Sequence, residues 1–430
     1  MINFSGKLCL APMVRSGELP MRLATLRNGA DIVWTPELVD KKLIQTTRII
    51  NSQLNTIDYI YNDPQNVRHK QSVVFRTLPN EEQGKLILQL GSADPELAVK
   101  ASLKVIHDVD GIDLNCGCPK NFSIHSGMGA ALLSTPDLLC SILRDLVEKV
   151  GKPFQKSISC KIRLLDDYET TRSLIERICQ TGINNLTIHC RQRQMRNRQD
   201  IIWNYLPKLI PYIQSQGISV IINGGLLSYQ DFKHLQTTLQ NDRIGGMIAE
   251  SAETNYSVFN KHGPSFQYKN VCQFFNICKL MNQDGFPNTK YMILNQVPGK
   301  SPYYAKIAKC KTYDAMEELL QEDELKEDKF FSKIFIRDLT MTKFYKDSKE
   351  FDEYLKERKS RWEPLIKSYE DSETVIEPVV IDPRNGGGGG DQKKSKKRRN
   401  DDVKVELNGK DMGSMFKKSR ISESTTSVNV

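Results

Sequence analysis

From Leu8 to about Ser251, short apolar runs alternate with longer amphipathic stretches. The runs are LCLAPM from Leu8, DIVWTPEL from Asp31, LILQLG from Leu86, GIDLNCG from Gly111, SISCKIRL from Ser157, NLTIHC from Asn185, SVIINGG from Ser219 and GGMIAES from Gly245. Between them the apolar spacing becomes helical. Pro136 opens one such stretch, with Leu138, Leu139, Ile142, Leu143, Leu146 and Val147 on one stripe, and Gly151 is its expected end. Leu174, Ile175 and Ile178 mark another, which closes before Gly182. Near-continuous apolar strands alternating with amphipathic helices predict a parallel sheet covered by helices. Eight such strands in about 245 residues suit an α/β fold of the closed (β/α)8 TIM-barrel type better than an open doubly wound sheet.

The rhythm then changes. From about Tyr268 to Asp347 the pattern is helical, with Val271, Phe274, Phe275, Cys278 and Met281 on one stripe, and it predicts a small all-α domain. A charged stretch runs on to Pro383, and Asn385 is followed by Gly386 to Gly390 and by the cluster Lys393 to Arg399. The expected organisation is a barrel over residues 1–255, a helical domain over 256–350, a charged linker over 351–384 and a disordered basic tail over 385–430.

Charge refines this picture. The 430 residues carry 61 Lys and Arg against 52 Asp and Glu, a formal +9, and +5 of it lies between Asn385 and Val430. The Lys393 to Arg399 cluster reads as a nuclear-import signal, a nucleic-acid tether or a solvated tail, and the residues alone leave all three open. A hydrophobic fraction of 39% supports a sizeable core, and no run approaches the roughly 18 apolar residues of a membrane span. The opening MINFSGKLCLAPM has neither a secretory nor a mitochondrial targeting pattern. A cytoplasmic monomer without a membrane partner is expected, with nuclear access through the basic cluster. The ten cysteines fall mostly in apolar runs and form no facing C-x-x-C pairs, so reduced core thiols are expected, and no metal site.

In a barrel of this type the chemistry sits at the C-terminal strand ends. There the chain is polar: Pro12 and Met13 end the first strand, Gln89 the third and Asn115 to Cys118 the fourth. Lys161 and Arg163 lie in the fifth, His189 in the sixth, and Asn223-Gly224-Gly225 closes the seventh. A lone strand lysine is ordinarily an edge residue, and a lone histidine a satisfied core residue. Several polar groups converging on one mouth are harder to explain so, because each costs about 1–3 kcal/mol if left unpaired. Together they would surround a planar, anionic ligand. The glycines after the seventh strand and the GGMIAES segment lie where barrels build phosphate sites from backbone N–H groups. Such a pocket suits a flavin mononucleotide. Arg191, Arg193, Arg196 and Arg198 place a basic loop at the mouth. Lys290, Lys300, Lys306, Lys309 and Lys311 stand among Tyr291, Tyr303 and Tyr304, a mixture suited to RNA.

The stretch Asp113-Leu114-Asn115-Cys116-Gly117-Cys118-Pro119-Lys120, followed by Gly127 to Leu133, resembles the signature of the tRNA-dihydrouridine synthases. So do Ala11-Pro12-Met13, Gln89-Leu90-Gly91, Lys161-Ile162-Arg163, Ile188-His189 and Asn223-Gly224-Gly225, in that order. The opening LAPMVRSGELPMRL and GADIVWTPEL are most similar to the eukaryotic subgroup acting on position 20 of cytoplasmic tRNA. The resemblance implies an FMN-bearing barrel joined to a helical domain, tRNA as partner and NADPH or NADH as reductant. It implies Cys118 as the general acid and Asn115 beside the uracil. Pro12, Met13, Val14, Gln89, Lys161, His189, Asn223, Gly224, Gly225, Ala249 and Glu250 would bind FMN. Two departures stand out. Ala249-Glu250 occupies a position where the family often has Gly-Arg, so only backbone contacts to a phosphate are expected there. Cys116 replaces a frequent Met and adds a spare thiol.

Reduction of the uracil C5–C6 double bond needs a hydride at C6 and a proton at C5. A thiol of ordinary pKa, near 8.5, is largely protonated at neutral pH and suits the second task. Two other readings remain: an FMN barrel acting on a free pyrimidine, of the dihydroorotate or dihydropyrimidine dehydrogenase type, and a noncatalytic RNA-binding barrel.

Overall fold

The eight apolar runs form eight parallel strands: β1 (Leu8–Leu10), β2 (Ile32–Trp34), β3 (Leu86–Gly91), β4 (Gly111–Cys116), β5 (Ser157–Leu164), β6 (Asn185–Gln192), β7 (Ser219–Asn223) and β8 (Gly245–Ile248). The computed structural model describes residues 1–62, 71–195, 199–281, 285–338 and 341–371. Each strand pairs with its successor in the chain, except that β2 meets β3 across an insertion, and β8 returns to β1 through Cys9 and Met247. The sheet is therefore closed, and the expected barrel is present.

Period two decides what faces where. Leu86, Leu88 and Leu90, then Ile112, Leu114 and Cys116, then Ile158, Cys160, Ile162 and Leu164 belong to the large core under the surrounding helices. The alternate residues face the barrel axis. Cys9, Trp34, Ile87, Ile221 and Met247 join Phe4 in a separate apolar plug. Gln89, Asp113 and Ser159 share one row of the register, Asn115, Lys161 and Thr187 the next. Strands that read as nearly continuous apolar runs are thus alternating, with their few polar residues collected inside.

The helices follow their sequence signals. Asp94, Asp167 and Ser228 cap three of them by accepting from backbone N–H groups of the first turn. The helix opened by Pro136 does not stop at Gly151; it winds on through Phe154 and ends at Gln155, which has φ 53°. Gly151 serves packing instead, since a Cβ there would lie 2.7 Å from Ile158.

Three features depart from expectation. An antiparallel three-stranded sheet, Thr47–Asn51, Thr56–Asn62 and Gln71–Thr77, is inserted between β2 and β3. Its buried Asp58–Arg76 pair, at 2.5 Å, also reaches the helix Gln267–Met281, because Arg76 donates to the Met281 carbonyl at 2.7 Å. The segment expected to be all-helical carries, besides its helices, a hairpin of Ile334–Asp338 and Met341–Tyr345. The residues read as a charged linker from 351 begin instead within a helix, Ser348–Asp371. Phe351, Leu355 and Ile366 are buried on it, and Trp362 packs edge-on against Trp203 with centroids 4.6 Å apart. A sparse apolar stripe at helical spacing suffices to dock a helix whose overall composition is charged. The Gly386 to Gly390 run and the Lys393 to Arg399 cluster lie outside the described residues. Among the described residues no helix is long and apolar enough to cross a membrane.

Candidate active site

The inner rows of β3 to β6 converge on a buried carboxylate. Asp113 accepts from Gln89 Nε2 at 2.8 Å and from Ser159 Oγ at 2.7 Å. Burial pushes its pKa up to about 6, while these two donors and the Lys161 charge pull against that. Lys161 stands one row nearer the mouth. Burial and then Arg163 bring its pKa down to about 8, so it remains a cation at neutral pH. Its ammonium has no hydrogen bond or ion pair among the described residues. His189 sits beside it. Burial, then Lys161, Arg163 and Arg191, hold its pKa well below the usual imidazole value, so the ring is neutral. Arg191 Nη1 lies 3.3 Å from His189 Nε2, and since a guanidinium only donates, Nε2 accepts and Nδ1 carries the proton.

Cys118 lies on a turn fixed from three sides. Asn115 Oδ1 accepts from the N–H of Gly117 at 2.9 Å and of Cys118 at 3.1 Å. Arg163 Nε donates to the Gly117 carbonyl at 2.8 Å, and the Ala130 N–H donates to the Cys118 carbonyl at 3.0 Å. Gly129 has φ 60°, and a Cβ there would fall 2.3 Å from Ser123 Oγ and 2.8 Å from the Cys118 carbonyl oxygen. The glycine-rich stretch after the Cys118 turn is therefore its packing floor. The thiol is half-buried. Burial raises its pKa first, and the neighbouring Glu37 carboxylate raises it further. Glu37 follows β2, accepts from Ser123 Oγ at 3.2 Å and has its own pKa raised by burial. Gly91 makes room for it, since a Cβ there would come within 2.7 Å of Glu37 Oε1. The spare thiol is elsewhere: Cys116 is fully buried and belongs to the outer core.

A cavity opens at the ends of β7 and β8. Asn223 is buried and donates from Nδ2 to the Met247 carbonyl at 2.9 Å. Gly224 and Gly225 have φ of 98° and 85°, and a Cβ on Gly225 would fall 2.0 Å from Ile201. Ala249, Glu250 and Ser251 form the opposite lip. Among the described residues, Ser251 Oγ is buried without a hydrogen-bond partner. Pro12 and Met13 are half-buried at the end of β1, and Val14 is exposed. An unpaired ammonium, a loop with no room for side chains and an orphaned buried hydroxyl together fit an anionic cofactor bearing a phosphate.

The expected RNA surface is only partly as foreseen. Arg191 is not on it: the residue is 4% exposed, its Nε donates to the Gln199 carbonyl, and it faces the cavity and His189. A guanidinium so enclosed cannot meet a tRNA backbone. Arg193 is exposed, while Arg196 and Arg198 lie outside the described residues. Lys290 donates to the carbonyls of Ala308 and Cys310, Lys306 pairs with Glu322, and Tyr303 is buried. Lys300, Lys309, Lys311 and Tyr304 remain exposed. Glu37, Asp113 and Arg337, which line the site from three elements, were not foreseen in these roles. Asp113 and Glu37 stood within quoted motifs, but Arg337 did not.

Fold and site together define a barrel enzyme with a thiol, a lysine and a glycine loop at its strand ends. The family model described as dihydrouridine synthase (Dus) matches residues 31–358, and the chain belongs to that family. It is 48% identical over 330 residues to the tRNA-dihydrouridine(20) synthase (NAD(P)+) of Saccharomyces cerevisiae, covering 75% of this chain and 85% of that one. The protein of the same name from Schizosaccharomyces pombe is also 48% identical, over 300 residues, 69% of this chain and 60% of that one. Among solved structures, the old yellow enzyme from Trypanosoma cruzi aligns with 10% identity and a TM-score of 0.36, over 59% of this chain and 86% of that one.

Proposed function

We propose that the chain reduces the C5–C6 double bond of a D-loop uridine, at position 20, in tRNA, with FMN as resident cofactor and NADPH or NADH as reductant. The names of its two 48% identical relatives support the substrate, the position and the nicotinamide reductant. The observation that carries the reading is the Cys118 thiol, held protonated at the end of β4 in the same mouth as Lys161.

When bound, reduced FMN supplies the hydride to C6 of the uracil. Cys118 gives its proton to C5, and solvent restores the thiol. The raised pKa suits an acid that must still hold its proton when the carbanion develops. Lys161, Gln89 and His189 would hold the flavin, with the Lys161 ammonium available to counter its negative charge. Gly224, Gly225 and Ser251 would hold the phosphate. Asn115 fixes the Cys118 turn through its carbonyl oxygen, while its amide donates toward the Glu37 carboxylate, which places it beside the thiol and the expected uracil. The target base must leave the tRNA stack to reach this depth, at a cost of a few kcal/mol. Phosphate contacts by exposed cations offset it. On this reading residues 1–255 carry catalysis and residues 256–350 meet the tRNA.

An anaerobic titration tests it. The flavin of the purified protein is bleached with NADPH, and unmodified tRNA is added. Return of the oxidised spectrum with tRNA, but not with free uracil or orotate, is the expected result. Reoxidation only by a free pyrimidine would overturn the assignment of substrate. In Cys118→Ala, flavin should stay bound while single-turnover reoxidation by tRNA slows by about 100-fold or more.

A further inference from the structure

The cavity between β7 and β8 is closed by a residue from far along the chain. Arg337, on the first strand of the C-terminal hairpin, lines it together with Gly224, Gly225, Glu250 and Ser251. Ile334 and Ile336 are buried in the main core, which fixes that strand, and the Arg337 N–H donates to Thr254 Oγ1 at 3.2 Å, just past β8. The Arg337 guanidinium has no ion pair or hydrogen bond among the described residues. A second arginine of the same segment acts on the loop itself. Arg358 Nη2 donates to the Gly225 carbonyl at 2.6 Å.

Without Arg337 the charged residues lining this cavity, Arg191 and Glu250, sum to zero, which leaves nothing to offset a phosphate. His189 is neutral, and Glu250 lines the cavity at the end of β8. A phosphate seated on Gly224 and Gly225 would meet Glu250 nearby, a repulsive neighbour. Arg191 offers one buried guanidinium. Ser251, 1% exposed, offers a hydroxyl without a partner among the described residues. What the end of β8 lacks is a cation of its own.

We propose that Arg337 is the cation that grips the phosphate end of the bound flavin mononucleotide, in place of one on β8, so that the C-terminal hairpin completes the cofactor site of the barrel. The assignment rests on the reading of the cavity as an FMN phosphate site. It makes the 256–350 region a part of the flavin site as well as a tRNA-facing module. Cofactor binding then favours docking of the hairpin, because a ligand that contacts both stabilises their association.

The experiment uses the full-length protein, stripped of flavin and titrated by fluorescence quenching with FMN and with riboflavin, which lacks the phosphate. Wild type should prefer FMN, and inorganic phosphate should compete with FMN but not with riboflavin. In Arg337→Ala the affinity for FMN should fall by about 10- to 100-fold, the range of a charge-assisted hydrogen bond. The affinity for riboflavin should be unchanged. Arg337→Gln, which keeps length and hydrogen bonding, should lose most of the same preference and guards against misfolding of the alanine variant. Equal losses for FMN and riboflavin would make Arg337 merely structural and overturn the proposal. An unchanged FMN preference in either folded variant would overturn it too. A wild type that binds both flavins alike would remove the phosphate site itself, and with it the reading on which the proposal rests.

Discussion

The thiol and the lysine at the barrel mouth are tuned in ways that can be separated by pH. Burial and the Glu37 carboxylate both raise the Cys118 pKa. Glu37→Gln removes the second influence, so the thiol pKa should fall and alkylation of the Cys118 peptide by iodoacetamide at pH 8 should quicken. No change in that rate would mean that the carboxylate does not reach the thiol. For Lys161 the sign is opposite. Its pKa falls from 10.5 to about 8, so between those values the unfolded chain keeps a proton that the flavin-free fold has released. Stability attributable to this residue should therefore rise with pH across that window. The difference in urea midpoint between wild type and Lys161→Met should shift in favour of wild type from pH 8 to 10. A pH-independent difference would contradict the assignment. Cys118 and Lys161 were legible because both stand in contiguous motifs. Glu37 was not, because its role exists only once β2 and β4 lie side by side and Gly91 leaves space between them.

At the scale of elements, alternation along the strands made the barrel readable, whereas the docking of Ser348–Asp371 was hidden by charge. Its inward stripe includes an arginine, Arg358, which is 2% exposed and stacks 3.9 Å over the Trp362 ring. A buried arginine looks like a surface residue in any polar–apolar pattern. Here it pairs with Asp231 at 3.6 Å and bonds the Gly225 carbonyl, so the helix holds the glycine loop as well as the barrel wall. Trp362→Ala removes both the ring under Arg358 and the edge contact with Trp203. It should lower unfolding stability by about 2 kcal/mol, less than a fully buried tryptophan because the residue is only partly buried. Urea unfolding with an unchanged m-value measures it. The inserted sheet between β2 and β3 was missed for a related reason: its first strand, Thr47–Asn51, is mostly exposed and lacks a buried face to reveal its period.

For the whole molecule, the question is where the affinity for a polyanion resides. The net charge of +9 is divided between the 385–430 tail and the rest. Within the described residues, several of the lysines that looked suited to RNA are engaged in the protein's own structure. Lys290 holds two carbonyls and Lys306 a carboxylate, so neither is a ready phosphate contact. Lys300, Lys309 and Lys311 are exposed and flank the two ends of the helix Pro302–Lys309. If they each neutralise one tRNA phosphate, replacing all three with Ala should flatten the plot of log affinity against log salt by about 2 to 3 units of slope. The loss should be the same for tRNAs of different sequence, since phosphate contacts carry no sequence information. Single-turnover reoxidation of prereduced flavin at saturating tRNA should be unaffected, because these residues lie on the helical module and not in the barrel mouth. Removing residues 385–430 instead should leave both the slope and the turnover nearly unchanged. If the tail deletion takes the salt dependence and the triple variant does not, the tail is the tether and the helical module has another task.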